Sequence, residues 1–169
     1  MRVIGLAGWS GSGKTTLLAR LIPLLTGAGL RVSTIKHAHH NFDVDKPGKD
    51  SWTHRQAGAS EVLVVSDIRW ALMHELRGAA EPSLTELLGK LSECDLVILE
   101  GFKREPIPKI EIWRAEVGKP LLHPEDPAIV LMTSDDPCPQ ARIPILPLSD
   151  LPALAAAVLS AAKPIREIG

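Results

Sequence analysis

Apolar positions change their spacing repeatedly along the chain, and each change marks an element. Arg2 to Ala7 is a short run of β-branched and apolar residues, and from Thr15 to Ala28 the leucines recur at helical spacing. The pattern predicts strand, loop, helix. Gly27 and Gly29 are helix stops, and Leu30 to Ile35 reads as a second strand, completing a βαβ unit that favours parallel pairing. From Lys36 to Asp50 the periodicity is lost in a polar stretch too long for a simple connection, which predicts a functional loop.

Ser51 to Ala59 reads as a short helix. Glu61 to Val65 and Arg69 to His74 read as two strands of a hairpin joined through Ser66 and Asp67. Ser83, with Glu86 three residues on and leucines at helical spacing to Leu91, is a helix start of the capping-box kind. Asp95 to Leu99 is a buried strand, Lys109 to Trp113 alternates polar and apolar, and Ala128 to Met132 and Ile143 to Leu146 are further short strands. An alanine-rich helix over Leu151 to Ala161 follows. Strands alternating with helices predict an α/β fold, a mainly parallel sheet flanked by helices with an antiparallel hairpin added.

The 169 residues fit one domain, 1–169. With 19 basic against 20 acidic side chains, the chain lacks the field expected of a protein that coats nucleic acid or an anionic membrane, so any anion site must be local. Cys94 and Cys138 are far apart and define neither a thiolate metal site nor a disulfide framework. No apolar run reaches the roughly 20 residues of a membrane span, and no signal peptide is evident, so a cytoplasmic location is expected.

The chemistry begins at Gly8-Trp9-Ser10-Gly11-Ser12-Gly13-Lys14-Thr15, which fits G-x-x-x-x-G-K-[ST] at every fixed position, between an expected strand and an expected helix. Glycines let successive N–H groups turn inward onto phosphate oxygens, and the helix N-terminus adds its partial positive charge. Lys14 is expected to reach the β- and γ-phosphates, Thr15 to give its hydroxyl to Mg²⁺, and Thr16 to bond an α-phosphate oxygen. The strand Asp95-Leu-Val-Ile-Leu-Glu100-Gly101 ends in a carboxylate suited to a Mg²⁺-bound or attacking water, which makes Glu100 the second catalytic and metal candidate beside Lys14. The alternative for Glu100 is a solvated strand-end charge. Asp95, at the other end of the strand, reads as structural.

The loop KHAHHNFDVDKPGKDS crowds imidazoles, carboxylates and ammonium groups together. His37, His39 and His40 match no known coordination spacing, so contact with phosphate or a partner is the preferred reading, with His37 and Lys49 as nucleotide contacts. Asp43 and Asp45 are candidates for the Mg²⁺ shell, Asp45 foremost, with solvated loop charge as the alternative. Asp135 or Asp136, after the strand ending at Met132, could accept from guanine N1–H and N2–H₂, with an Asp-Asp-Pro turn as the other reading. Trp9 is expected to be exposed or to cover a neighbouring subunit.

In their order along the chain, GWSGSGKTTL, KHAHHNFDVDKPGKDSWTHRQAGA, DLVILEGFK and KIEIWR resemble the molybdopterin-guanine dinucleotide biosynthesis protein B (MobB) family. The resemblance runs to about Arg114. It implies a P-loop NTPase fold, GTP binding, slow GTP hydrolysis and a homodimer. It also implies an adaptor role in molybdenum cofactor assembly beside the guanylyltransferase that joins GMP to molybdopterin, with molybdopterin itself a second candidate ligand. Lys14, Thr15 and Glu100 fall on its phosphate-loop and acidic positions; His37, His39, Asp43, Asp45, Lys49 and Asp50 fall on its signature loop. No N-K-x-D guanine motif is present. A small-molecule kinase and a metal-inserting GTPase are the other classes considered. The segments 82–90 and 120–127 carry no arginine for a kinase lid, and no Cys-Pro-x-His site or histidine-rich tail is found.

Overall fold

The computed structural model describes residues 1–38 and 42–167. The described residues of Met1–His39 and Leu91–Gly169 form one compact unit, and those of His40–Lys90 form another. The sequence expectations for His39 and His40 lie outside the described residues.

In the first unit, β1 (Arg2–Ala7), α1 (Lys14–Gly27), β2 (Val32–Lys36), β5 (Leu96–Glu100), β6 (Lys109–Ile112), β7 (Ile129–Thr133), β8 (Ile145–Leu146), α4 (Leu151–Ala161) and β9 (Lys163–Pro164) follow in chain order. The sheet runs β2-β5-β1-β6-β7-β8 with every neighbouring pair parallel. β9 adds an antiparallel contact, Arg2 opposite Pro164, on the edge of β1 that β6 leaves open. The phosphate loop and Glu100 therefore leave the sheet at one edge, the carboxyl ends of the strands.

One face of this sheet is packed as its alternation dictates. Ile4 and Leu6 of β1, Ile98 of β5, and Ile110 and Ile112 of β6 meet Leu17, Leu21 and Leu25 of α1 and Leu154 and Val158 of α4. Asp150 caps α4 by accepting from the Ala153 N–H, as an aspartate one residue before a helix should. The opposite face of β6 carries the polar half of the alternation, Lys109 and Glu111, and both are buried. Gly5 makes room for the first of them: a Cβ there would stand 2.9 Å from Lys109 Cγ. The Lys109 ammonium donates to the carbonyls of Lys103 and Glu105 and to the Asp126 carboxylate, so one buried cation holds the loop that follows Glu100.

The second unit holds α2 (Asp50–Gln56), β3 (Glu61–Val65), β4 (Trp70–His74) and α3 (Leu84–Leu88). The hairpin forms as expected, Glu61 opposite His74 and Val65 opposite Trp70, with its turn closed by Ser66 N–H to the Arg69 carbonyl. The α3 start has the expected capping box: Ser83 accepts from the Glu86 N–H, and Glu86 accepts from the Ser83 N–H. α3 ends at Leu88, short of the expected Leu91.

Candidate functional site

β1 delivers Gly8 at a φ of +148°, with its Cα pressed between the Ser12 hydroxyl and the Ile112 carbonyl, where a Cβ would fall 2.5 Å and 2.8 Å from them. A glycine is required at such a close approach. The loop then turns into α1, whose N-terminus has no side-chain cap and no acidic residue in its first turn. The first intrahelical acceptor beyond it is Gly13, bonded by the Leu17 N–H, so the N–H groups of Lys14, Thr15 and Thr16 have no acceptor within the helix. Three outward donors and a positive helix end make a seat for an anion.

A pocket of about 360 Å³ opens over this seat, lined by Ser10, Gly11, Gly13, Lys14, Thr15, Thr16, Lys36 and Glu100. The fold thus brings together most of the expected phosphate residues with both catalytic candidates, and adds Lys36. The Lys14 ammonium donates to the carbonyls of Gly8 and Trp9, at 2.8 and 2.9 Å. Burial lowers its pKa, Glu100 opposes that, and Lys103 and Lys36 press it further down. Glu100 sits in register between Leu6 of β1 and Lys36 of β2, and the Lys36 ammonium stands 3.7 Å from its carboxylate. Thr15 and Glu100 present a hydroxyl and a carboxylate to one pocket, the hard oxygen donors that suit Mg²⁺.

Other expected residues take different places. Ser12 is buried, with its hydroxyl turned under the loop beside Gly8, and it contributes backbone rather than side chain. His37 follows β2: its N–H donates to the Glu100 carbonyl, its own carbonyl packs on Gly101, and its ring meets Phe102 edge-on at 5.7 Å. Asp135, at the carboxyl end of β7, accepts from the N–H and hydroxyl of Ser149. Asp136 accepts from the Ala115 N–H, at the start of a 3₁₀ turn over Ala115–Val117. Asp95 binds the Arg31 N–H at 2.7 Å and is structural, as expected.

Asp45 and Lys49 belong to the second unit. There the Asp45 carboxylate accepts from the Ser51 hydroxyl, the Lys46 N–H and Arg55 Nε, and Arg55 also holds Asp43 in a two-pronged pair and Glu75 at 2.9 Å. To serve a metal, Asp45 would have to give up this guanidinium. Lys49 precedes α2 with an exposed side chain, and its carbonyl accepts from Thr53.

Trp9 is half-buried rather than exposed: its indole N–H donates to the Pro120 carbonyl at 2.8 Å, and Lys103 and Lys119 flank the ring at 5.5 and 5.9 Å. Sequence reasoning also missed Lys36 and Arg114. Arg114 is two residues past β6 and donates to the Ser12 carbonyl. Nothing in the alternation of KIEIWR marks it, because its partner is backbone more than 100 positions earlier. Among the described residues there is no cluster of metal-ligating side chains and no helix long and apolar enough to cross a membrane.

A glycine loop that opens an uncapped helix at the carboxyl edge of a parallel sheet, with an acidic strand beside it, defines a P-loop NTPase fold. The profile of the family described as "MobB: Molybdopterin guanine dinucleotide synthesis protein B" matches residues 3–135, and the chain belongs to this family. It is 47% identical over 135 residues to the molybdopterin-guanine dinucleotide biosynthesis adapter protein of Haemophilus influenzae, covering 78% of this chain and 74% of that protein. Against the adapter protein of Escherichia coli it is 43% identical over 159 residues, covering 90% and 89%. The crystal structure of Bacillus subtilis MobB superposes with a TM-score of 0.72 at 25% identity, over 96% of this chain and 99% of that one.

Proposed function

We propose that the protein binds GTP with Mg²⁺ and acts as an adaptor in molybdopterin guanine dinucleotide assembly, hydrolysing GTP slowly and assisting the guanylyltransferase that joins GMP to molybdopterin. The observation that carries the reading is the phosphate pocket, in which unpartnered N–H groups, Lys14, Thr15 and Glu100 face one space. The names of the Haemophilus and Escherichia relatives supply the pathway and the adaptor role.

In this reading Lys14 leaves the Gly8 and Trp9 carbonyls for the β- and γ-phosphates, whose charge opposes the lowering of its pKa. Thr15 and Glu100 would hold Mg²⁺, which would supply neutralisation of the phosphate charge. Glu100 orients the water that attacks. Its pairing with Lys36 helps to hold it at the edge of the pocket. Asp135 reads guanine, its carboxylate held in place by Ser149.

The hairpin supports a homodimer. Leu63 opposite Leu72 and Val65 opposite Trp70 are two cross-strand pairs on one face, and all four side chains are exposed, Val65 by 71%. A contiguous apolar face of this kind is commonly covered by another copy.

The test is isothermal titration of the purified protein with GTP and with ATP, each with Mg²⁺, repeated for Lys14→Ala. Preference for GTP, lost in the variant, is expected. Equal or tighter binding of ATP would overturn the adaptor reading and put a kinase first.

A further inference from the structure

The phosphate pocket runs from the loop toward Glu100 and Lys36, on the side of β1 that carries β5 and β2. A triphosphate whose metal-bound end lies there leaves its nucleoside on the other side of the loop, over the carboxyl ends of β6 and β7. Chain order points to the same place. The chain goes from β1 first to β2 and β5 on one side, then crosses to β6 on the other, so the strand order reverses between β1 and β6. Open parallel sheets bind ligands at this crevice.

Arg114 stands in it. Its guanidinium lies against the bare face of Gly13, where a Cβ would meet Nε at 3.4 Å and Nη2 at 3.5 Å. Nε donates to the Ser12 carbonyl at 3.3 Å, and Nη1 lies 3.6 Å from the Glu116 carboxylate. With two edges of the group engaged, the flat face is what the guanidinium offers, and the Arg114 side chain as a whole is 36% exposed.

The neighbouring backbone is fastened as well. Asp136 holds the Ala115 N–H, the Trp113 indole holds the Lys119 carbonyl, and the Trp9 indole, from the phosphate loop itself, holds Pro120. A guanidinium fixed in this way is a preorganised stacking surface for an aromatic ring.

We propose that Arg114 is the platform on which the purine ring stacks, a positioning residue for the nucleoside that rests on the nucleotide-binding reading above. Phosphate recognition belongs to the loop and α1. Arg114 adds affinity that a ligand without a base does not receive.

The experiment compares GTP with inorganic tripolyphosphate, both with Mg²⁺, by titration calorimetry on the wild-type chain and on Arg114→Ala and Arg114→Lys. Arg114→Ala is expected to weaken GTP about tenfold, and tripolyphosphate by less than about twofold. Arg114→Lys is expected to recover little, because an ammonium has no flat face. ATP, where the wild type holds it, should weaken by the same factor as GTP, since stacking does not read exocyclic groups. Unchanged tripolyphosphate binding also certifies that the variant's loop is intact. Equal losses for GTP and tripolyphosphate would overturn the proposal and leave Arg114 as an anchor of the loop; so would unchanged GTP binding. A wild-type chain that holds neither ligand would overturn the nucleotide reading itself, and the platform with it.

Discussion

The Nδ1 of His123 lies 2.9 Å from Glu111 Oε2, and the two side chains are 2% and 1% exposed. The other ring nitrogen, Nε2, accepts the Arg142 N–H, so the Nδ1–H is the one donated to the carboxylate. Glu111 takes two further donors, the N–H groups of Leu122 and His123. A single carboxylate on the far face of β6 thus organises the connection between β6 and β7.

Glu111→Ala strands these donors in a dry interior. It is expected to destabilise the protein by about 3 kcal/mol or more, because three donors lose one buried acceptor together. Urea unfolding followed by circular dichroism checks this, and a loss below about 1 kcal/mol would mean that water enters and replaces the carboxylate.

In the second unit, the Arg55 side-chain hydrogen bonds hold the Asp43 carboxyl below its ordinary pKa, with the Asp45 N–H acting in the same direction. A carboxyl whose folded pKa is depressed stabilises the fold above its unfolded value, near 4, and loses that contribution as pH falls through the folded value. Asp43→Asn should therefore weaken the protein near neutral pH and have little effect near pH 2. Unfolding midpoints measured at both values decide it. A variant as stable as wild type at neutral pH would show that the Asp43–Arg55 pair contributes nothing.

Trp70→Asp places a charge in the exposed apolar face of the hairpin, opposite Val65. If a second copy covers that face, the variant should sediment at half the mass of the wild type while keeping its nucleotide affinity. A wild-type chain that is already monomeric with nucleotide present would count against the homodimer.

The elements that formed as read are those whose signals are local. β1 and β3 begin and end where the β-branched runs do, and Ser83 with Glu86 marks its helix because both partners of the cap lie within one turn. The phosphate loop was legible for the same reason. Ile143 to Leu146 shrank to two residues because Pro144 has no N–H to give a ladder. The burial of Lys109 and Glu111 was not legible, because alternation tells two faces apart without telling whether loops cover the second. β6 is interior to the sheet, and both of its faces are dry. β9 is two residues long and exists through its pairing with Arg2 and Val3, which no local pattern announces. Arg114 and Glu111 have the same character, since their partners are distant in sequence.

The first turn of α1 ends in open N–H groups with neither a serine nor an aspartate to receive them, whereas α3 and α4 each carry such a residue. A helix of this kind is left unfinished by its own sequence, and in the proposed reading a phosphate completes it. Each bound anion is then a structural component as well as a ligand, and the free energy of unfolding rises with the logarithm of its concentration once the site is largely filled. Nucleotide would then set how long the folded form survives as well as what the protein does.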